Sequence, residues 1–582
     1  MKCSVLIFCL LLAGSWFAQT SEIQGKILDQ EGKNDIPFAT IYNRSLKKGT
    51  IGNVDGFFKI PVGKLSDTIV VTAVGYKTTT ISLKENTTFY QVRMSENIVE
   101  LSEVTVKPSD NTYLYELIGK CRQRPNKIRE EAKAYYELKT FIDNRQVELV
   151  EGFYNAKISG YELKGQQLKA GRLAMKQYDD QSRMFVSVES SKAILLSEVT
   201  EESPYFPANP FSLNAKRLRK SFYLDMDRKY LDDQGDSMMI VSYFPKVKDG
   251  NYYRGKIWIN CSKMVIQKLQ MECTDCKTHP FLPLFRTDSI TGVDLQVTKT
   301  FVPRKDKQVF AHVDFNYSIA FRSRFGMNGD QSYRIRTNAL FFAYDYDQTF
   351  FIPRFEFNRH ATDYRKILSM PYNDFFWQNN DEYRLNDSKN SNQIFFMDSL
   401  SVTNLNIRTT KRSPIKKNFY KEPYVKWSVN RVIFKESIPD SLLNNFSRVS
   451  MDKSFNLAVQ VFFDRNSYRD STDILTCAIF DPYESYYLLP IDQNTHCFIN
   501  IYFDLIEMER RKLDAKLKSK SWTLEEAEGI YNRFLTDCTA LKEKYYRSVD
   551  HGRNLAELIK WNRLVKNALK IDNMALFGIS EK

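Results

Sequence analysis

Histidine is scarce in this chain. Five are spread over 582 residues, at His279, His312, His360, His496 and His551, and none opens an H-x-x-E or H-E-x-x-H pattern. A zinc hydrolase needs ligands at such spacing, so that class is excluded. There is no G-x-S-x-G elbow, no glycine-rich phosphate loop and no G-x-G-x-x-G. The usual hydrolase, nucleotide and dinucleotide signatures are therefore missing, and no cofactor is expected. Glycine (22) and proline (18) are sparse, which argues against low-complexity linkers. Past residue 20 no apolar run is long enough for a transmembrane helix, which needs about 18 or more residues.

Aromatic and apolar residues are plentiful. Hydrophobic residues make up 43% and aromatics 14%, with 33 Tyr and 41 Phe. That supplies several cores, and the length suggests about three or four domains. Aromatic enrichment favours pleated sheet, where flat rings pack well. The net charge of +14 comes from 84 basic and 70 acidic residues. Basic clusters such as Lys216, Arg217, Arg219 and Lys220, or Lys411, Arg412, Lys416 and Lys417, are short and interrupted. A dispersed excess of this kind gives solubility, and nucleic acid is not expected as a partner.

The first residues have the layout of a secretory signal peptide. Lys2 precedes the apolar run Val5 to Ala13, and the small residues Gly14, Ser15 and Ala18 lead into polar Gln19 and Thr20. Cleavage after Ala18 is expected, leaving an exported mature chain. Leu12-Ala13-Gly14-Ser15 approaches a lipoprotein box, but Ser15 stands where a lipid-accepting thiol is needed, so no lipid anchor is expected. The mature chain holds seven cysteines: Cys121, Cys261, Cys273, Cys276, Cys477, Cys497 and Cys538. An oxidising compartment permits disulfides, and the odd count leaves at least one thiol over.

Residues 23 to about 95 alternate in short runs. Ile23 to Leu28, Phe38 to Ile41, Phe57 to Ile60, Thr68 to Val74, Lys77 to Leu83 and Phe89 to Met94 are separated by turn residues such as Asp55-Gly56. The spacing predicts a seven-stranded β-sandwich. Gln24-Gly25-Lys26-Ile27, Ile36-Pro37-Phe38-Ala39-Thr40-Ile41, Gly49-Thr50-Ile51-Gly52-Asn53-Val54-Asp55-Gly56-Phe57-Phe58 and Val74-Gly75-Tyr76 follow in order. This series resembles the carboxypeptidase-regulatory-like domain. The resemblance implies a small transthyretin-like sandwich without catalytic activity, of the kind that precedes outer-membrane transporters and other Gram-negative envelope proteins. Ile98 to Val106 resembles the segment that follows this domain, and is read as a linker or last strand rather than a strand added to a TonB-type partner.

Residues 98–130 read as linker and helix, with Tyr113, Leu114, Leu117, Ile118 and Cys121 at helical spacing and Pro125 as the stop. Residues 131–360 read as an antiparallel β-rich domain, with strands at Ala134 to Ile142, Val147 to Tyr154, Met238 to Phe244, Gly255 to Asn260, Met264 to Glu272, Gly292 to Phe301, His312 to Phe321 and Tyr333 to Tyr344. The run Val241 to Leu269 resembles the curved sheet of periplasmic lipoprotein carriers, which implies either a concave surface for an apolar ligand or a filled core. Residues 361–500 read as a loop with further strands near Val425 to Phe434 and Ser454 to Phe463, and Pro371 to Trp377 as a boundary loop or surface lid. Residues 501–582 read as three amphipathic helices, the second opened by a capping box of Thr523 and Glu526.

Two constellations could hold chemistry. Cys273-Thr274-Asp275-Cys276 with His279 offers two thiols and an imidazole. A disulfide, within the pair or to Cys261, ranks before a metal site, and a catalytic dithiol comes third. Asp225, Asp227, Asp232, Asp233 and Asp236 lack the full spacing of a calcium loop and read as a solvated turn. The whole is mainly β with C-terminal helices. It reads as an exported, non-enzymatic binding or scaffold protein of the periplasm or outer-membrane surface, with other envelope proteins or an apolar ligand as partners. The competing readings are an enzyme with a dispersed site and an outer-membrane barrel.

Overall fold

The computed structural model describes residues 21–96 (apart from 47, 53 and 54), 111–123, 128–175, 190–357 (apart from 284–286, 306 and 325–330), 361–380, 424–432, 455–487 (apart from 469, 470, 482 and 483) and 491–580. The signal-peptide reading, the segment 98–106, the cluster at Lys411 to Lys417 and His360 lie outside them.

Seven strands form the N-terminal sandwich: β1 (Ser21–Asp29), β2 (Thr40–Asn43), β3 (Lys48–Ile51), β4 (Phe57–Val62), β5 (Ile69–Thr72), β6 (Thr79–Ile81) and β7 (Phe89–Met94). One sheet runs β4-β1-β7 and the other β3-β2-β5-β6. Alternate residues Ile23, Ile27, Ile41, Ile60, Val71 and Val92 meet between them, as a period of two requires. The turn before β4 needs glycine. Gly56 has φ +72°, and a Cβ there would lie 2.5 Å from the Ile27 carbonyl oxygen.

Helix α1 (Thr112–Gln123) leads into a ten-stranded antiparallel sheet. Its strands are β8 (Arg129–Ile142), β9 (Arg145–Ser159), β10 (Glu162–Met175), β11 (Phe222–Leu231), β12 (Ser237–Pro245), β13 (Arg254–Asn260), β14 (Val265–Cys273), β15 (Ser289–Arg304), β16 (Lys307–Ser323) and β17 (Gln331–Asp345). The order is β10-β9-β8-β17-β16-β15-β14-β13-β12-β11, so the chain lays down one end, crosses to the far edge and returns strand by strand. β10 touches β16 although three strands lie between them, so the sheet curls strongly. Its concave side is filled. Leu114, Leu117, Ile118 and Cys121 of α1, together with Phe206, Phe211 and Leu213, pack there against Val241, Ile257, Leu269, Val297 and Phe315. Of the two outcomes expected for this surface, the filled core is the one found. The edge at β11 is partly covered by α1 and the residue before it: the Tyr115 and Asn111 side chains donate to the Phe222 and Leu224 carbonyls, each at 2.8 Å.

β10 escaped the sequence reading. It carries two glycines and two bulges instead of a clean alternation. Gly171 is needed because helix α4 (Asp363–Ser369) crosses it closely: a Cβ there would meet Ile367 Cγ1 at 2.4 Å. Two short helices, α2 (Ser190–Leu196) and α3 (Ala215–Ser221), precede β11.

The loop or lid expected at Pro371 to Trp377 is corrected. Asp374–Asn379 forms helix α5, capped by the Asn373 side chain, and buries Phe376 and Trp377. The strand expected from Val425 shrinks to β18 (Val425–Lys426), because the residues after it turn to bind a helix. β18 joins the hairpin β19 (Val459–Tyr468) and β20 (Ser471–Phe480). The helical region begins earlier than expected, with α6 (Gln493–Lys518). Every residue from Cys497 to Glu507 is buried, including the stripe Asn500, Asp504 and Glu507, whose polar atoms bond to Val432, Trp427 and Arg510 inside the fold instead of facing water. α7 (Leu524–Val549) opens with the anticipated capping box: the Thr523 hydroxyl accepts from Glu526 N at 3.2 Å, and Thr523 N donates to the Glu526 carboxylate at 2.9 Å. α8 (Leu555–Leu569) and α9 (Asn573–Leu576) complete the bundle, which shares one core with the hairpin.

Candidate functional site

Strands β8, β9 and β10 turn one face to the filled core and the other to the hairpin and α5. On that second face Glu137 pairs across with Glu151, and Glu151 with Arg172. All three are buried, as is Lys169 at 1% exposure. Buried charges persist only when paired and hydrogen-bonded. Here Arg172 Nε donates to Glu151, Lys139 pairs with Glu137 at 2.9 Å, and the Tyr135 hydroxyl lies 3.2 Å from Glu137 and 3.0 Å from Glu151. The Trp377 ring of α5 lies 4.1 Å from the Arg172 guanidinium carbon. Burial raises the Glu137 carboxyl to about 7, against the pull of Lys139, so one carboxyl of the row holds a proton into the neutral range.

Lys169 sits at the second bulge of β10 and reaches out of the sheet. Its ammonium donates to Asp464 and, at 3.3 Å, to the Arg465 carbonyl of β19. Phe351 and Phe376 present their rings to it at 5.8 and 5.5 Å. Asp464 also accepts from Asn466 Nδ2 at 2.9 Å, while the Asn466 carbonyl oxygen is buried without a hydrogen-bond partner.

Beside this pair opens a cavity of about 730 Å³. Its wall is drawn from widely separated parts of the chain: Glu22, Thr50 and Lys59 of the sandwich, Lys133, Lys169, Asp345, Phe350 and Phe351 of the large sheet and its exit, Phe375 and Asn380 around α5, Arg465 and Tyr468 of β19, and Leu524 of α7. Rings alternate with paired charges, among them Lys133–Asp345 and Lys59–Glu22, each at 3.3 Å. A second cavity of about 430 Å³ shares Arg465 and is lined by Asp473, Lys520 and Trp522. Neither lining includes Glu137, Glu151 or Arg172, which are buried behind it, and of the two the larger has room for a ligand.

The constellations expected from sequence lie elsewhere. Cys273 and Cys276 are buried thiols, and Cys276 Sγ donates to the Cys273 carbonyl at 3.2 Å. Cys261 follows the end of β13 that pairs with Val265, whereas Cys273 ends β14 beside Arg254. The strand between them spans roughly 25 Å at ~3.3 Å per residue, far beyond the ~7 Å Cα limit for a disulfide. Cys261 is therefore not the partner of either. His279 turns to Phe281, ring centroids 5.8 Å apart, and burial lowers its pKa. Among the described residues no three His, Cys, Asp or Glu side chains converge as a metal site. The acidic cluster disperses: Asp227 pairs with Lys256, Asp236 with Lys263 and Asn260, and Asp232 accepts from the amides of Gln234 and Asp236 within its turn.

Residues 23–106 match the CarboxypepD_reg-like domain. The N-terminal sandwich is that domain, and its two-sheet arrangement agrees with the resemblance read from its motifs. Among solved structures the chain is similar to a LolA superfamily protein from Nitrosomonas europaea, at 7% identity and a TM-score of 0.15, over 40% of this chain and 93% of that one. A likeness that loose assigns nothing to the sheet. No curated protein matches. No helix among the described residues is long and apolar enough to cross a membrane.

Proposed function

We infer that this chain is an exported, non-enzymatic binding or scaffold module of the Gram-negative cell envelope, and that the large cavity is its binding site. The observation that carries this reading is the cavity's lining, drawn from the sandwich, the sheet, α5, β19 and α7 together. A site assembled from all of these ties occupancy to their mutual packing, which suits a scaffold. The mixed lining of rings and charges suits an amphipathic segment of another envelope protein better than a purely apolar ligand. The enzyme reading finds its best acid–base pair, Glu137 and Glu151, sealed away from the cavity. The barrel reading meets a sheet that, among the described residues, ends at β10 and β11 without those strands pairing with each other.

A photo-crosslinking residue at Phe375 or Asn380, introduced in the native cells, tests the site. The expected result is a discrete envelope-protein adduct at both positions, absent when the same group replaces exposed Leu576. Equal labelling at all three positions, or none in the cavity, contradicts the assignment.

A further inference from the structure

We propose that Cys273 and Cys276 are joined by a disulfide in the mature protein, and that the bond forms before loop 246–253 closes over them. Cys273 is the last residue of β14, and Asp275, in the left-handed region at φ 49°, turns the chain so that Cys276 comes back beside it. Cys276 N donates to the Val293 carbonyl of β15 at 2.7 Å, which fixes the second sulfur's backbone to the neighbouring strand. The loop lies directly over the pair. Lys277 N donates to the Gly250 carbonyl at 3.0 Å, and Cys273 Sγ lies 3.6 Å from the same oxygen. Gly250, at φ +78°, leaves no room for a side chain: a Cβ would stand 2.5 Å from the Asp275 carbonyl oxygen. Tyr253, from the end of that loop, brings a buried hydroxyl without a hydrogen-bond partner into the field of the two sulfurs.

The exchange proceeds one thiolate at a time. One of the two thiols loses its proton and attacks a disulfide oxidant R–S–S–R, forming a mixed disulfide and releasing one thiolate. The other thiol then loses its proton and attacks the protein sulfur of the mixed disulfide, expelling the second thiolate. Two electrons and two protons leave the pair, and the oxidant departs as two thiols. In the finished fold Cys273 and Cys276 are 5% and 3% exposed, so neither oxidant nor reductant reaches them once the loop is down. The remaining five cysteines stand on α1, β20, α6 and α7 and after β13.

The test uses the mature chain from Gln19, refolded from the reduced state with oxidised glutathione, then alkylated in denaturant without reductant and digested. The peptide holding both residues should be two hydrogen atoms lighter and unalkylated, with the other five cysteines alkylated. Alkylation of Cys273 and Cys276, or a bond from either to another cysteine, overturns the pairing. Dithiothreitol added to the folded chain should reduce the bond at least tenfold more slowly than in denaturant. Equal rates overturn the proposed order of closure.

Discussion

Strands β8 to β10 bury side chains on both faces, and the faces differ in kind. Ala134, Tyr136, Leu138, Val150 and Tyr154 enter an apolar core with α1 and the central strands. Tyr135, Glu137, Glu151, Lys169 and Arg172 are just as buried, yet hold five polar or charged groups against α5 and the hairpin. An apolar side chain is worth roughly 1.5–3 kcal/mol wherever it is buried, largely regardless of which apolar neighbour covers it. A buried ion pair gains little net stability, but it penalises every packing that leaves one partner alone. The comparison teaches that the inner face holds the sheet together, whereas the outer face specifies which part of the later chain may cover it.

The comparison breaks most visibly at Lys169. Lys169→Met leaves Asp464 buried without its cation and should cost about 3–5 kcal/mol, read as a lower urea midpoint. Adding Asp464→Leu should restore most of the loss, whereas inner-face Leu138→Ala should have no charge-partner rescue. If the double variant is no more stable than Lys169→Met alone, the outer face is not specified by charge.

A smaller effect should appear with pH. The Glu137 carboxyl lies near 4.5 when unfolded and at about 7 in the fold, raised chiefly by burial. Between those values the folded chain keeps a proton that the unfolded chain has released. The stability from this group is therefore full below about pH 4.5 and is lost as pH rises through about 7. The difference in unfolding free energy between wild type and Glu137→Gln should accordingly fall from pH 5 to pH 8. Parallel curves would place the proton elsewhere. The inner face holds a buried carboxyl of its own, Glu148, which accepts from Thr140 at 2.7 Å and from Tyr364 and whose pKa burial raises, so the slope assigned to Glu137 is read only from the difference between wild type and Glu137→Gln.

Legibility followed the same divide. The meander was readable because Val241 and Tyr243, then Ile257 and Ile259, point inward while their sequence neighbours do not, and the observed strands include those runs. The sandwich was readable from its motifs and from Gly56. The buried row was not. Glu137 and Lys139 alternate with Tyr136 and Leu138, which from sequence is the pattern of a wet outer face. Only the return of α5 and β19, more than two hundred residues later, makes that face dry. The cavity was hidden for the same reason, since its wall runs from Glu22 to Leu524. The first half of α6 was missed because its polar stripe, Asn500 and Asp504, is thin and the residues between are apolar all round.

Export of the mature chain precedes every envelope contact proposed for it. The most direct test is fractionation of the native cells with mass spectrometry of the mature amino terminus. It predicts a chain beginning at Gln19, found in the periplasm or released from the outer-membrane surface without detergent. An intact Met1 in the cytoplasm would contradict it, and extraction only by detergent would restore the barrel reading.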